Sequence, residues 1–244
     1  MIGYVASGNG HSIAALSAPD LEKIVITGDE TLTLATAAAT VGLTEVDASG
    51  LTGKAALSLD TSAAPNISLL VKATANADTI DLSNAATKTV TLYTGGGSDI
   101  IALDGAATAD QTLKFTSTAL NAGDVKAGDA IAITLSGGVA GGQVHLDFGT
   151  AIEALLKNGG TVLGTAAANV GIQGTALGVT TNVASSVATV AGDDVTTFQI
   201  DLNGDGVYNA ADDFQVQITV TGVAGADDTL AYNAATNMFD FTIA

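Results

Sequence analysis

The chain contains no cysteine, which excludes disulfides and thiolate metal sites alike. It contains no tryptophan, and aromatic residues fill only 4% of its 244 positions, so ring platforms for sugars are scarce. Lys and Arg together number 7 against 25 Asp and Glu, for a net charge of −18. No basic stripe exists to neutralise phosphates, which excludes nucleic acid as a partner. No run of about 18 apolar residues occurs, so no transmembrane helix and no membrane insertion are expected. The first twenty residues lack a basic start followed by an apolar core, so no secretory leader is visible. The chain then stays in the cytoplasm, leaves the cell by another route, or has its true start upstream.

What is present is a β composition. The hydrophobic fraction is 47%, much of it Ala, and 29 Gly against two Pro suit many tight turns between short strands. Thr, Val, Ile and Leu fill the segments between turns. Among the acids only Glu22, Glu30, Glu45 and Glu153 are Glu; the rest are Asp. Such an excess of carboxylates repels itself in a compact state, and bound cations relieve it. With disulfides excluded, calcium is the obvious staple for a surface protein.

Residues 21 to 104 carry an internal repeat of strand pairs: Leu21 to Ile26 then Thr31 to Leu34, Leu43 to Ala48 then Ala56 to Leu59, Ile67 to Val71 then Thr79 to Leu82, Thr89 to Leu92 then Ile100 to Leu103. Val46, Leu69 and Val90 are spaced by 23 and then 21, and Leu57, Ile80 and Ile101 by the same two steps. Two tracks with one step are what stacked coils of two strands and two turns predict. Thr27-Gly28-Asp29, Ser49-Gly50, Ala77-Asp78 and Gly95 to Asp99 supply the turn chemistry between strands.

Beyond about residue 110 the repeat fades. Strands are expected at Leu113 to Phe115, Ala130 to Leu135, Gln143 to Leu146, Thr197 to Ile200 and Phe214 to Val220, the last alternating apolar and polar as a half-solvated strand does. Thr150 and Glu153 form a capping box for one short helix that ends at Asn158-Gly159-Gly160. Residues 164–192 fit strands or a long loop equally. The expected architecture is all-β: an N-terminal segment over 1–20, a short parallel β-solenoid over 21–109, then an antiparallel β-sandwich-like domain over 110–244.

The sharpest motif is Asp201-Leu-Asn203-Gly-Asp205-Gly206-Val207-Tyr-Asn209-Ala-Ala-Asp212. Asp201, Asn203, Asp205, Asn209 and Asp212 stand at positions 1, 3, 5, 9 and 12 of a twelve-residue calcium loop, and Val207 at position 7 offers its carbonyl. Gly206 allows the sharp turn at position 6. Asp212 replaces the usual Glu, and the flanks read as strands, so the loop resembles those of dockerins and β-rich secreted proteins rather than a sensor EF-hand. A metal-free Asx-rich hairpin is the competing reading. A second motif, Thr94-Gly-Gly-Gly-Ser-Asp99-Ile-Ile, resembles the nonapeptide calcium repeat. Asp78 and Asp99 are 21 apart, which puts them at one corner of adjacent coils where they can share an ion; plain turn chemistry is the alternative. Asp47, Asp104, Asp124, Asp129, Asp193, Asp194, Asp227 and Asp228 read singly as solvated turn residues.

Enzyme motifs are missing. The two histidines are His11 and His145, the latter at an outward strand position beside Val144 and Leu146, and no Gly-x-Ser-x-Gly, His-Glu-x-x-His or phosphate loop occurs. Paired carboxylates for glycoside chemistry stay open from sequence.

Leu43 to Gly53 resembles the recurring coil segment of RTX-type bacterial S-layer proteins and large surface adhesins. The Gly-rich turn at Asp99 resembles their calcium repeats. The Asp201 to Gly206 unit and the chain end, Asn237 to Ala244, are similar to the uncleaved tails of type I secretion substrates. The resemblance implies a chain exported unfolded, folding outside the cell on meeting calcium, and assembling with itself into a surface layer. It implies no catalysis, an extracellular location on the bacterial cell surface, calcium as the bound ion, and cell-surface polysaccharide as a further partner. The alternative it leaves is an adhesin, or a carbohydrate-binding and secretion module of a larger protein.

Overall fold

The computed structural model describes residues 10–64, 68–84, 89–105, 111–115, 125–149, 157–158, 161–162, 183–190, 193–200, 202, 208–222, 228–233, 235–236 and 238–243. Every element among them is a strand. The first twelve are β1 (His11–Leu16), β2 (Lys23–Gly28), β3 (Leu32–Thr36), β4 (Glu45–Leu51), β5 (Leu57–Asp60), β6 (Leu69–Lys72), β7 (Thr79–Leu82), β8 (Val90–Tyr93), β9 (Ile100–Asp104), β10 (Gln111–Lys114), β11 (Ala130–Ser136) and β12 (Gln143–Asp147). They are followed by β13 (Lys157–Asn158), β14 (Thr161–Val162), β15 (Val183–Val190), β16 (Asp193–Ile200), β17 (Phe214–Val220), β18 (Thr229–Asn233) and β19 (Met238–Thr242).

Successive strands from β1 to β12 fall alternately into two sheets. One holds nine strands in the order β1-β3-β5-β7-β9-β11-β17-β16-β15, the other eight in the order β18-β19-β12-β10-β8-β6-β4-β2. Within each sheet the strands up to β11 or β12 pair in parallel with the strand two places on. β10, just past the boundary expected near residue 110, joins β8 to β12 in the same sheet. The C-terminal strands extend the same two sheets. β17 joins β11 in parallel, and then β16 and β15 add antiparallel, as do β19 and β18 beside β12.

Period-2 alternation explains the core. In β5, β6 and β8 buried residues alternate strictly with half-buried or exposed ones, as they must when one face of a strand meets the interior. Leu57, Leu59, Leu69, Val71, Ile80, Leu82, Val90, Leu92, Ile101 and Leu103 are all buried and belong to one apolar cluster drawn from both sheets. Near its C-terminal end the cluster is aromatic. Phe148 stacks on Phe115 with ring centroids 4.7 Å apart and meets Phe198, Phe214 and Phe239 at 5.5, 6.2 and 5.9 Å. All of these ring contacts join positions far apart in sequence that no periodicity links.

The expected registers hold at the second step and slip at the first. Leu69 pairs with Val90 and Ile80 with Ile101 as the 21-residue step requires. Val46, however, pairs with Val71 rather than Leu69, and Ile80 with Leu59 rather than Leu57. The slip is two residues, which leaves the same faces inward, so alternation in the sequence cannot detect it. Ser49-Gly50, expected in a turn, lies inside β4. A side chain at Gly50 would meet Thr27 Cγ2 at 2.8 Å, beside the register shift between β2 and β4, so the glycine serves close strand approach. The helix expected from Thr150 lies outside the described residues up to 156, and Lys157 and Asn158 form β13. Residues 164–192 contain β15, and the 1–20 segment contains β1.

Candidate functional site

Asp78 and Asp99 stand immediately before β7 and β9, whose first residues, Thr79 and Ile100, are paired. The two acids therefore occupy equivalent places in successive layers. Both are buried, at 2% and 1% exposure. Asp99 Oδ1 accepts a hydrogen bond from the backbone N–H of Asp78 at 2.8 Å. Asp78 Oδ1 in turn accepts from the N–H of Leu57 in the preceding layer at 2.6 Å. Its Oδ2 accepts from Thr74 N at 2.8 Å, and the Thr74 hydroxyl lies 2.9 and 3.0 Å from the two oxygens. One layer further on, Asp129 Oδ2 accepts from Gly97 N at 3.2 Å. Burial pushes the Asp78 carboxyl up to about 6, against the bonds from Leu57 and Thr74 that favour its anion.

The glycine run beside Asp99 is explained by packing. Gly95, Gly96 and Gly97 have φ of 83°, 113° and 90°, and a Cβ on Gly95 would sit 1.8 Å from Thr74 O. Asn76 Nδ2 reaches the carbonyls of Gly53 and Ala55 at 3.3 and 2.8 Å, tying the same corner to the layer before it.

Of the residues singled out at 201–212, Asp201, Asn203, Asp205 and Val207 lie outside the described residues, and Asn209 and Asp212 lie within them. Both are exposed, and Asn209 Nδ2 donates to Asp212 Oδ2 at 2.8 Å. The N–H groups of Asp212 and Asp213 donate to Asn209 O at 3.0 and 2.9 Å, which closes a tight turn before β17. The side-chain oxygens of Asn209 and Asp212 are of the hard type that calcium takes, and Asn209 Oδ1 here accepts from Ala211 N at 3.1 Å. Among the described residues no group of three or more His, Asp or Glu is placed to hold a metal.

Sequence reasoning missed Asp213. It is fully buried; Oδ1 accepts from Leu202 N at 2.9 Å and Oδ2 from Asn209 N at 2.7 Å, so one carboxylate joins the second and ninth positions of the loop. Its charge, after burial itself, also pushes the Tyr208 hydroxyl up. The signal available was the inward Phe214 that follows a doubled Asp212-Asp213, and it is not specific. The reading of Asp194 and Asp228 as solvated is overturned: they are 1% and 3% exposed. Asp47 lies in β4, not in a turn. Burial alone would raise its carboxyl, but bonds from Ser49 and Lys72 hold it below the usual range. Asp124 and Asp227 lie outside the described residues.

The outward face of the eight-stranded sheet gathers lysines. Lys72 bonds Glu45 at 2.7 Å and Asp47 at 3.0 Å, Lys23 bonds Glu45 at 3.0 Å, and Lys114 bonds Asp147 at 2.8 Å. Lys72, first of all, holds Glu45 below its ordinary range. His145 is half-buried and its Nδ1 lies 2.7 Å from Asp240 Oδ1, which fastens β19 to β12. No helix among the described residues is long and apolar enough to cross a membrane. No protein-family model matches the chain, and a search of curated proteins finds no match.

Proposed function

We propose that the chain is a secreted, calcium-dependent structural protein that assembles with itself at a bacterial cell surface, and that its chemistry is ligation rather than catalysis. The observation that carries this reading is the oxygen spacing of Asp201, Asn203, Asp205, Asn209 and Asp212, with the Val207 carbonyl, in a chain of net charge −18. The alternation of β1 to β12 between two parallel sheets supports a β-solenoid for the repeat. The antiparallel strands β15, β16, β18 and β19 support a sandwich-like cap beyond it. Calcium held by the loop couples binding to folding, because the acidic chain repels itself until cations are bound. Export before folding, as in type I secretion substrates, and assembly into a surface layer follow from that coupling.

The test is thermal melting of the purified chain with excess calcium and with excess chelator, paired with electron microscopy of both samples. The reading expects a melting temperature that falls sharply on chelation and sheets or filaments only with calcium. An unchanged melting temperature, with monomers in both samples, refutes it.

A further inference from the structure

We infer that the corner formed by Asp78 and Asp99 is a cation-free staple, in which buried carboxylates grip backbone N–H groups of the neighbouring layer and take the place that a shared calcium ion was expected to fill. Each of these carboxylates reaches back one layer: Asp99 to Asp78 N at 2.8 Å and Asp78 to Leu57 N at 2.6 Å. Asp129 to Gly97 N at 3.2 Å repeats the pattern.

The donor chemistry is that of an anion receptor. A calcium ion takes six to eight oxygen ligands. Around the Asp78 carboxylate stand instead two N–H groups and one hydroxyl, all donors aimed at its oxygens. Those partial positive charges disfavour a cation at the same oxygens. Two carbonyl oxygens beside the corner are also engaged: those of Gly53 and Ala55 accept from Asn76 Nδ2. Beside the glycine turn, a side chain at Gly96 would lie 3.5 Å from the Lys126 ammonium, so a positive charge already stands at that turn.

At this corner a carboxylate meets backbone amides directly, so the register of β5, β7 and β9 needs no ion placed between Asp78 and Asp99. The inference does not rest on the calcium reading of residues 201–212, and each can fail without the other.

The first experiment uses the unaltered chain. Amide hydrogen exchange at Leu57 and Asp78 is followed by NMR in excess chelator and in excess calcium. Any loss of protection on chelation is expected to match, within about three-fold, that of amides in β4 and β6 of the other sheet; a loss at Leu57 and Asp78 about ten-fold or more beyond theirs overturns the staple. The second compares the full chain with Asp99→Ala, which leaves the Asp78 N–H without its acceptor. Calcium titrated calorimetrically is expected to give the same number of sites and a Kd within about two-fold. The melting temperature of the variant in chelator is expected to fall by about 2–4 °C or more, as loss of about one net buried hydrogen bond does in a domain of this size. A variant that loses a calcium site, or that melts with the parent in chelator, overturns the staple. A parent chain that binds no calcium at all refutes the loop reading while the exchange data still decide this one.

Discussion

Replacing Asp78 by Asn should change stability by an amount that depends on pH in a definite direction. In the parent chain, burial raises the Asp78 carboxyl from its ordinary 3.8 to about 6. The folded chain therefore binds this proton more tightly than the unfolded chain. The contribution favours folding in full below pH 3.8 and is lost as pH rises through about 6. A rise of about two units corresponds to about 3 kcal/mol, at order-of-magnitude precision, for keeping the buried group ionised at pH 7.5. At pH 5.0 roughly half of that cost has been removed by protonation, a change of about 1.5 kcal/mol. Asn carries no charge and has no such dependence. It has its own defect: with one amide oxygen it accepts from Leu57 N or Thr74 N, and its NH₂ faces the other donor, which costs about 1–3 kcal/mol. The two effects nearly cancel at pH 7.5. Urea unfolding of both chains in chelator should thus give similar stabilities at pH 7.5 and a variant weaker by about 1.5 kcal/mol more at pH 5.0. Both pH values stay above the isoelectric point near 4.1, where precipitation would intrude. A difference that is flat with pH, or a parent that loses stability relative to Asn on acidification, refutes the reasoning. The second result is what a cation held on the ionised carboxylate would produce.

Three further outcomes follow from packing and hydrogen bonding. Gly95→Ala, with φ of 83° and Thr74 O at 1.8 Å from the added carbon, should cost more than about 4 kcal/mol, the range in which backbone must move. Gly53→Ala, at φ of 68° in open space, should cost only about 1–2 kcal/mol, and equal costs in denaturant titration would contradict the geometry. Phe148→Ala should lower stability by about 3–5 kcal/mol, since the ring touches four other phenylalanines; a loss below about 1 kcal/mol in calorimetry would show that they do not pack as a unit. Asp213→Ala should cost about 2–5 kcal/mol even in chelator, because Leu202 N and Asn209 N lose their acceptor, and a loss confined to calcium-loaded protein would reassign Asp213 to the ion.

Much of this protein is legible before folding. Alternation places Leu57, Leu59, Val71, Ile80 and Ile101 inward, because the side-chain period of a strand is fixed by the backbone. The 21-residue spacing of Asp78 and Asp99 puts them at one corner, and the oxygen spacing at 201–212 matches the pattern expected of a calcium loop, since both are local or periodic features. Tertiary structure decided the rest. Whether Val46 meets Leu69 or Val71 depends on the lengths of the corners between strands, which alternation does not record. The sequence puts two acids side by side, but only the packed corner turns Thr74 N, Leu57 N and Asp78 N toward them. Nothing local announces the meeting of Phe115, Phe148, Phe198, Phe214 and Phe239, or the pairing of His145 with Asp240, because β12 and β19 lie 95 residues apart at that contact. Periodic information survives in one dimension; contacts between distant strands exist only once the sheets have closed over their shared core.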